Sequence, residues 1–125
     1  MIVGSGIDIA EVDRVAQAIE RFGKKFLNRV FTEAEIRYCE SKKNSAERYA
    51  ARFAAKEAAM KAIGTGLRRG VTWKDVEVAH AAGGRPILRF SGRAAEFADA
   101  LGARHIALSL THSAQTAMAM VILED

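Results

Sequence analysis

Glu57 and Lys61 stand one helical turn apart in the run Arg52-Phe53-Ala54-Ala55-Lys56-Glu57-Ala58-Ala59-Met60-Lys61-Ala62-Ile63-Gly64-Thr65-Gly66. The run reads as an alanine-rich helix that ends in a glycine-bracketed turn, with Phe53 and Gly64 on the same stripe as Glu57. A carboxylate and an ammonium on so apolar a helix sit where water is scarce, and charge is costly there unless it is used or paired. The plainer reading is a Glu-to-Lys pair that supports the helix, worth about 0.3–0.5 kcal/mol. Two further residues are unusual for a purely structural role. Asp8 ends an apolar strand on a face otherwise made of glycines, where its plainer role is a turn or cap carboxylate. His112 alternates in register with Ile106, Leu108 and Leu110, as a satisfied core histidine also would.

Asp8 and Glu57 are hard oxygen donors with no third acid and no Cys–His cluster beside them. If they converge, the ion that suits them is Mg²⁺, or Mn²⁺ in its place, completed by waters and a substrate phosphate. Zinc is disfavoured because its usual ligand spacings are missing. Gly64-Thr65-Gly66 has backbone N–H groups that could meet a phosphate. It follows a helix rather than preceding one, so it is not a Walker loop.

The elements that must position these residues are legible from periodicity. Ile2 to Ile9 alternates as a strand, with Val3, Ser5, Ile7 and Ile9 on one face and Ile2, Gly4, Gly6 and Asp8 on the other; the glycines leave room for a close approach. Glu11 to Phe22 is an amphipathic helix with Val12, Val15, Ala16, Ile19 and Phe22 inward and Arg14 and Arg21 outward, stopped at Gly23. Lys24 to Phe31 is a short mixed segment. Thr32-Glu33-Ala34-Glu35 matches a capping box and opens a helix through about Glu40. Ser41 to Ser45 is a basic loop, and the long helix covers about Ala46 to Ile63. Asp75 to His80 and Pro86 to Phe90 form a hairpin around Gly83-Gly84-Arg85, Ser91 to Leu101 is a helix closed by Gly102, and His105 to His112 pairs with Thr116 to Leu123. The expectation is a single α+β domain over residues 1–125, with helices packed on a small, mainly antiparallel sheet.

A chain of 125 residues, half of them hydrophobic and 27% charged, can bury a core without disulfides or a structural metal. Its one cysteine, Cys39, permits no intrachain disulfide and reads as a small buried hydrophobe. The first ten residues lack a basic n-region and an h-region of ordinary length, and no stretch approaches a membrane span, so the expected place is the cytoplasm and no membrane is involved. The net charge of +4 and pI near 9.5 favour an anionic partner. The nine aromatic residues are not interleaved with a dense basic run, which argues against a nucleic-acid partner.

Together, Gly6-Ile7-Asp8-Ile9, Arg52-Phe53-Ala54-Ala55-Lys56-Glu57-Ala58 through Lys61, Gly64-Thr65-Gly66 and Gly84-Arg85-Pro86 resemble, in order and spacing, the holo-[acyl-carrier-protein] synthases. These are the short, stand-alone class of 4′-phosphopantetheinyl transferases. Leu108-Ser109-Leu110-Thr111-His112-Ser113 is similar to the family's Ser-x-Ser/Thr-His strand. Arg85 departs from the lysine common at that place but keeps its charge.

The resemblance implies transfer of the phosphopantetheine arm of coenzyme A to a serine of apo acyl carrier protein, with release of adenosine 3′,5′-bisphosphate, in fatty acid biosynthesis. It implies Mg²⁺ on Asp8 and Glu57, with catalysis by Glu57 and Lys61. Glu57 takes the serine proton directly or through a metal-bound water, and the sequence leaves both routes open. It places coenzyme A against Arg52, Lys61, Gly64, Thr65, Gly66, Pro86 and His112, with Lys42, Lys43 and Arg48 near its 3′-phosphate. It makes Arg14 and Arg21 a docking surface for an acidic carrier, where the plainer reading is a solvated helix face. It also implies a homotrimer with active sites between subunits; Met118 and Met120, on one face of the last strand, are compatible with such a contact and equally with ordinary core. Two other readings use the basic surface without Asp8 and Glu57: a non-catalytic binding module for a nucleotide or an acidic protein, and a small RNA-binding domain.

Overall fold

The computed structural model describes residues 1–125 throughout. The chain runs β1 (Ile2–Glu11), α1 (Val12–Phe22), α2 (Lys24–Val30), α3 (Glu33–Glu40), α4 (Ser45–Ala62), a single 3-10 turn (Trp73–Asp75), β2 (Val76–His80), β3 (Pro86–Phe90), α5 (Gly92–Ala100), β4 (His105–His112) and β5 (Thr116–Glu124). The α+β class is as expected, but the strands divide into two antiparallel sheets, β1-β5-β4 and β2-β3.

The alanine-rich α4 is the central element. Ala50, Ala51, Ala54, Ala55, Ala58, Ala59 and Ala62 are all buried in the core. Its small side chains meet the glycine face of β1. A Cβ on Gly4 would lie 2.2 Å from the Ala62 carbonyl oxygen, and one on Gly6 would lie 2.0 Å from that of Ala58. Two strand residues advance about 6.6 Å and four helix residues about 6 Å, so the alternation Gly4, Gly6, Asp8 keeps step with every fourth residue of α4. The room left by the glycines is taken up by helix backbone.

Two local expectations change. Lys24–Val30 is a helix, α2, whose Phe26 packs edge-on to Phe31 at 6.1 Å and against Phe53 at 6.4 Å. Tertiary contact rather than local propensity holds so short a helix. Phe22 does not point inward: it is 56% exposed, because α1 ends there and Gly23, at φ 59°, turns the chain away before the stripe meets a partner. The face of β1 carrying Ile7 and Ile9 is 55% and 57% exposed at those residues, and its cross-strand neighbour Met120 is 41% exposed, so the outer face of the larger sheet is apolar and open. The capping box at Thr32 forms as expected, and Cys39 is buried, its thiol pushed up to about 12 chiefly by burial. No helix is long and apolar enough to cross a membrane.

Candidate active site

The register between β1 and α4 brings Asp8 level with the turn that carries Glu57. The two carboxyl groups face one another closely enough that the Glu57 carboxyl is raised to about 7, first by burial, then by the hydrogen bond and charge of Asp8, with Lys61 opposing. Two carboxylates forced together share a proton or recruit a cation. Lys61 does not pair with Glu57, its neighbour on the helix face. Its side chain leans toward the helix N-terminus, and the ammonium donates to Asp8 Oδ1 at 2.9 Å and to the Ile7 carbonyl at 3.0 Å. The helix-supporting pair read from the spacing is therefore replaced by a cross-element one.

A cavity of about 310 Å³ opens over this group, lined by Phe53, Glu57, Met60, Lys61, Gly66, Leu67 and Trp73. The Trp73 ring stacks on Phe53 with centroids 4.9 Å apart and planes at 25°. The Gly64-Thr65-Gly66 turn does not present its N–H groups to this cavity. Gly64 donates to the Lys61 carbonyl, and Thr65 and Gly66 both donate to that of Met60, satisfying carbonyls left open at the helix end. Positive φ at Gly64 (80°) and Gly66 (58°) makes that closure possible. The buried Thr65 hydroxyl donates to the Gly66 carbonyl at 2.8 Å. The turn bounds the cavity by shape, and Gly66 is the member that lines it.

Arg52, Pro86 and His112 come together elsewhere. Arg52 is five residues before Glu57, about 140° around the helix axis. With Tyr38, Arg48, His80, Gly84 and Leu110, these three line a second cavity of about 190 Å³. The buried Arg52 guanidinium lies 4.3 Å from the Tyr38 ring centroid, and one terminal nitrogen is 3.3 Å from His80 Nε2. Arg52 Nε is buried with no hydrogen-bond partner. Arg48 reaches Tyr38 Oη at 3.3 Å, and Lys42 lies over the same ring at 5.2 Å. None of these three cations forms an ion pair within the chain. Burial, and then the charges of Arg52, Lys42 and Arg48, hold the His80 imidazole below its usual range. His112 Nδ1 meets Glu47 Oε1 at 2.9 Å. The arrangement is a cationic pocket suited to a phosphate group.

On α1, Arg14 is 81% exposed beside Glu11 at 3.5 Å, and Arg21 lies 5.3 Å from the Phe22 ring centroid. The sequence reading did not single out Trp73, His80, Tyr38, or the buried pair of Lys56 and Glu35, whose Nζ–Oε1 distance is 2.8 Å. The signal for the last was present: Lys56 is a charge inside an alanine run, three residues on from Phe53. Outside the Asp8–Glu57 pair, no cluster of three or more His, Cys, Asp or Glu side chains could hold a metal.

The family model described as the 4′-phosphopantetheinyl transferase superfamily matches residues 4–119. The chain is 63% identical to the holo-[acyl-carrier-protein] synthase of Koribacter versatilis over 125 residues, covering 100% of both chains. Among solved structures it resembles the holo-[acyl-carrier-protein] synthase of Neisseria meningitidis with a TM-score of 0.89 and 32% identity, covering 100% of both chains. It also resembles that of Bacillus anthracis, solved in complex with CoA (3′,5′-ADP), with a TM-score of 0.81 and 38% identity over 98% of this chain and 96% of that one.

Proposed function

The chain belongs to the 4′-phosphopantetheinyl transferase superfamily, and from that premise we propose that it transfers the 4′-phosphopantetheine group of coenzyme A to a serine of apo acyl carrier protein, releasing adenosine 3′,5′-bisphosphate, in fatty acid biosynthesis. The observation that carries the assignment of roles is the convergence of Asp8, Glu57 and Lys61 where α4 packs on the glycine face of β1. Attack of a hydroxyl on a pyrophosphate phosphorus needs charge neutralisation and alignment more than covalent help.

The donor set fits a hard divalent cation. Two carboxylates meet with no further protein ligand, as suits Mg²⁺, which keeps several waters and shares substrate phosphate oxygens. Asp8 and Glu57 would hold it, with Mn²⁺ able to substitute, and when bound it supplies charge neutralisation and polarisation of a phosphoryl oxygen. Glu57, directly or through a water it holds, accepts the proton of the attacking serine. Lys61, with its ammonium at the mouth of the cavity, adds positive charge beside the phosphates. Phe53, Leu67 and Trp73 exclude water from one side of the reacting groups.

The cationic pocket takes the anionic nucleotide end of coenzyme A. Arg52 offers its unpartnered Nε, Arg48 and Lys42 add charge near the 3′-phosphate, and Pro86 and His112 shape the wall. This pocket and the Glu57 cavity share no lining residue, and Arg52 and Glu57 stand about 140° apart around α4. A homotrimer with active sites between subunits brings the pocket of one copy to the carboxylates of the next. The open apolar face of Ile7, Ile9 and Met120 is the surface we assign to that contact. Arg14 and Arg21 dock the acidic carrier. This reading puts the reaction in the cytoplasm, in keeping with the single free Cys39.

The test is incubation with coenzyme A, Mg²⁺ and apo carrier, followed by the mass of the carrier. A phosphopantetheine adduct supports the reading; its absence with several carriers and an intact, folded protein overturns it.

A further inference from the structure

The chain buries a lysine completely, one residue before Glu57. The Lys56 ammonium has three N–H groups and three acceptors: Glu35 Oε1 at 2.8 Å, the Trp73 carbonyl at 3.1 Å, and the Val76 carbonyl in a close contact. Glu35 is satisfied in turn. Its Oε1 also accepts from the Thr32 N–H and its Oε2 accepts from the Val78 N–H, each at 2.8 Å, and Thr32 Oγ1 donates to Glu77 Oε2 at 2.7 Å. One ammonium thus joins α4, the start of α3, the Trp73–Asp75 turn and β2. A buried ion pair of this kind is a poor source of stability, since apolar side chains of similar size hold a core as well or better. What a fully satisfied polar network does supply is fixed geometry.

That geometry bears on the cavity over Glu57. The Trp73–Asp75 turn is only three residues long, yet it carries the indole that stacks on Phe53 and lines the same cavity as Glu57. Lys56 holds the backbone carbonyl of that same tryptophan, while the next residue along α4 supplies the carboxylate. Wall and carboxylate are therefore referred to one helix turn. We propose that Lys56, backed by Glu35, is a positioning residue that sets the Trp73 wall against Glu57 and so fixes the width of the cavity in which the phosphopantetheine group is transferred. It touches no reacting atom, and its effect on catalysis rests on the role of Glu57 given above.

Trp73 is the chain's only tryptophan, so its fluorescence reports on the wall without any turnover. The test is the pair Lys56→Met with Glu35→Gln, which leaves no bare charge in the core, with Leu123→Val as a control that loosens the core at the far end of the larger sheet. The paired variant is expected to be folded, with acrylamide quenching of Trp73 raised at least twofold, kcat lowered at least tenfold, and the KM for the carrier within twofold of the original. The control is expected to lose thermal stability while quenching and kcat stay unchanged. A folded paired variant with original quenching and original kcat overturns the proposal. Trp73→Ala keeps the carbonyl that Lys56 holds but deletes the wall; if it retains full kcat, the proposal falls however the paired variant behaves. Should the unaltered protein modify no carrier, the assigned reaction fails, whereas the quenching comparison still decides whether Lys56 sets the wall.

Discussion

Replacing Gly6 by alanine tests whether the glycine face of β1 creates the site. The new Cβ would lie 2.0 Å from the Ala58 carbonyl oxygen, 2.9 Å from its carbon and 3.0 Å from the Ala62 nitrogen, all backbone atoms of α4. No rotamer relieves that overlap, because a Cβ has none. Ordinary contact begins at 3.4 Å, so strand and helix must separate by about 1.4 Å. Overpacking of this kind costs about 1–3 kcal/mol, a fall in Tm of about 4–12 °C for a chain of this size. The same displacement moves Asp8, two residues on, away from Glu57 and Lys61. Misplacement by about 1 Å costs about a hundredfold in rate, so carrier modification should drop by about that factor in the protein that remains folded. The measurements are thermal denaturation, carrier modification followed by mass spectrometry, and Mg²⁺ titration of the folded variant, whose affinity should also fall. Gly83→Ala is the comparison for stability, since a Cβ there meets nothing within 4 Å and its Tm should not move. A Gly6→Ala protein with the original Tm, Mg²⁺ affinity and rate would refute the claim that backbone contact between β1 and α4 positions the carboxylates.

Four other outcomes follow from the same geometry. Glu57→Gln should abolish most transfer while the protein stays folded, and near-normal turnover removes Glu57 from both of its roles. In metal-free protein the Glu57 carboxyl is raised from 4.5 to about 7, so its contribution to stability falls as pH rises between those values, and added Mg²⁺ should release close to one proton near pH 6. Mg²⁺ affinity should therefore weaken about tenfold per unit below pH 7, and calorimetry in two buffers that finds no proton release argues against a shared proton. Arg14→Ala should raise the KM for the carrier, with the difference shrinking at high salt; a change confined to the KM for coenzyme A contradicts the docking role. If the proposed trimer forms through the apolar sheet face, Ile7→Lys with Met120→Lys should reduce the mass in light scattering to that of one chain and abolish transfer, whereas a variant of unchanged mass contradicts that contact.

Much of the site was legible in the linear order of residues. Alternation marked β1, and the smallness of Gly4 and Gly6 announced a close approach. An alanine run marked a central helix, and Thr32 with Glu35 marked a capped start. These are local properties, set by side-chain size, charge and period, and they led to Asp8 and Glu57 as partners. Order alone did not reveal which acid Lys61 would serve. Helical spacing offered Glu57, and the packing of α4 on β1 put Asp8 and the Ile7 carbonyl within closer reach.

The sequence by itself determined the class of fold, the two carboxylates and the family to which the chain belongs, because each is written in residue types at fixed spacing. Tertiary structure alone decided which faces were covered. It left Phe22, Ile7 and Ile9 exposed, closed the N–H groups of Gly64-Thr65-Gly66 onto their own helix, and set Arg52, Pro86 and His112 in a cavity apart from Glu57. It also buried Lys56, whose ammonium is tolerable only because three acceptors from other elements meet it. The reason is common to all of these. Burial and pairing are properties of what packs against a residue, and that partner lies anywhere in the chain or in a second copy of it.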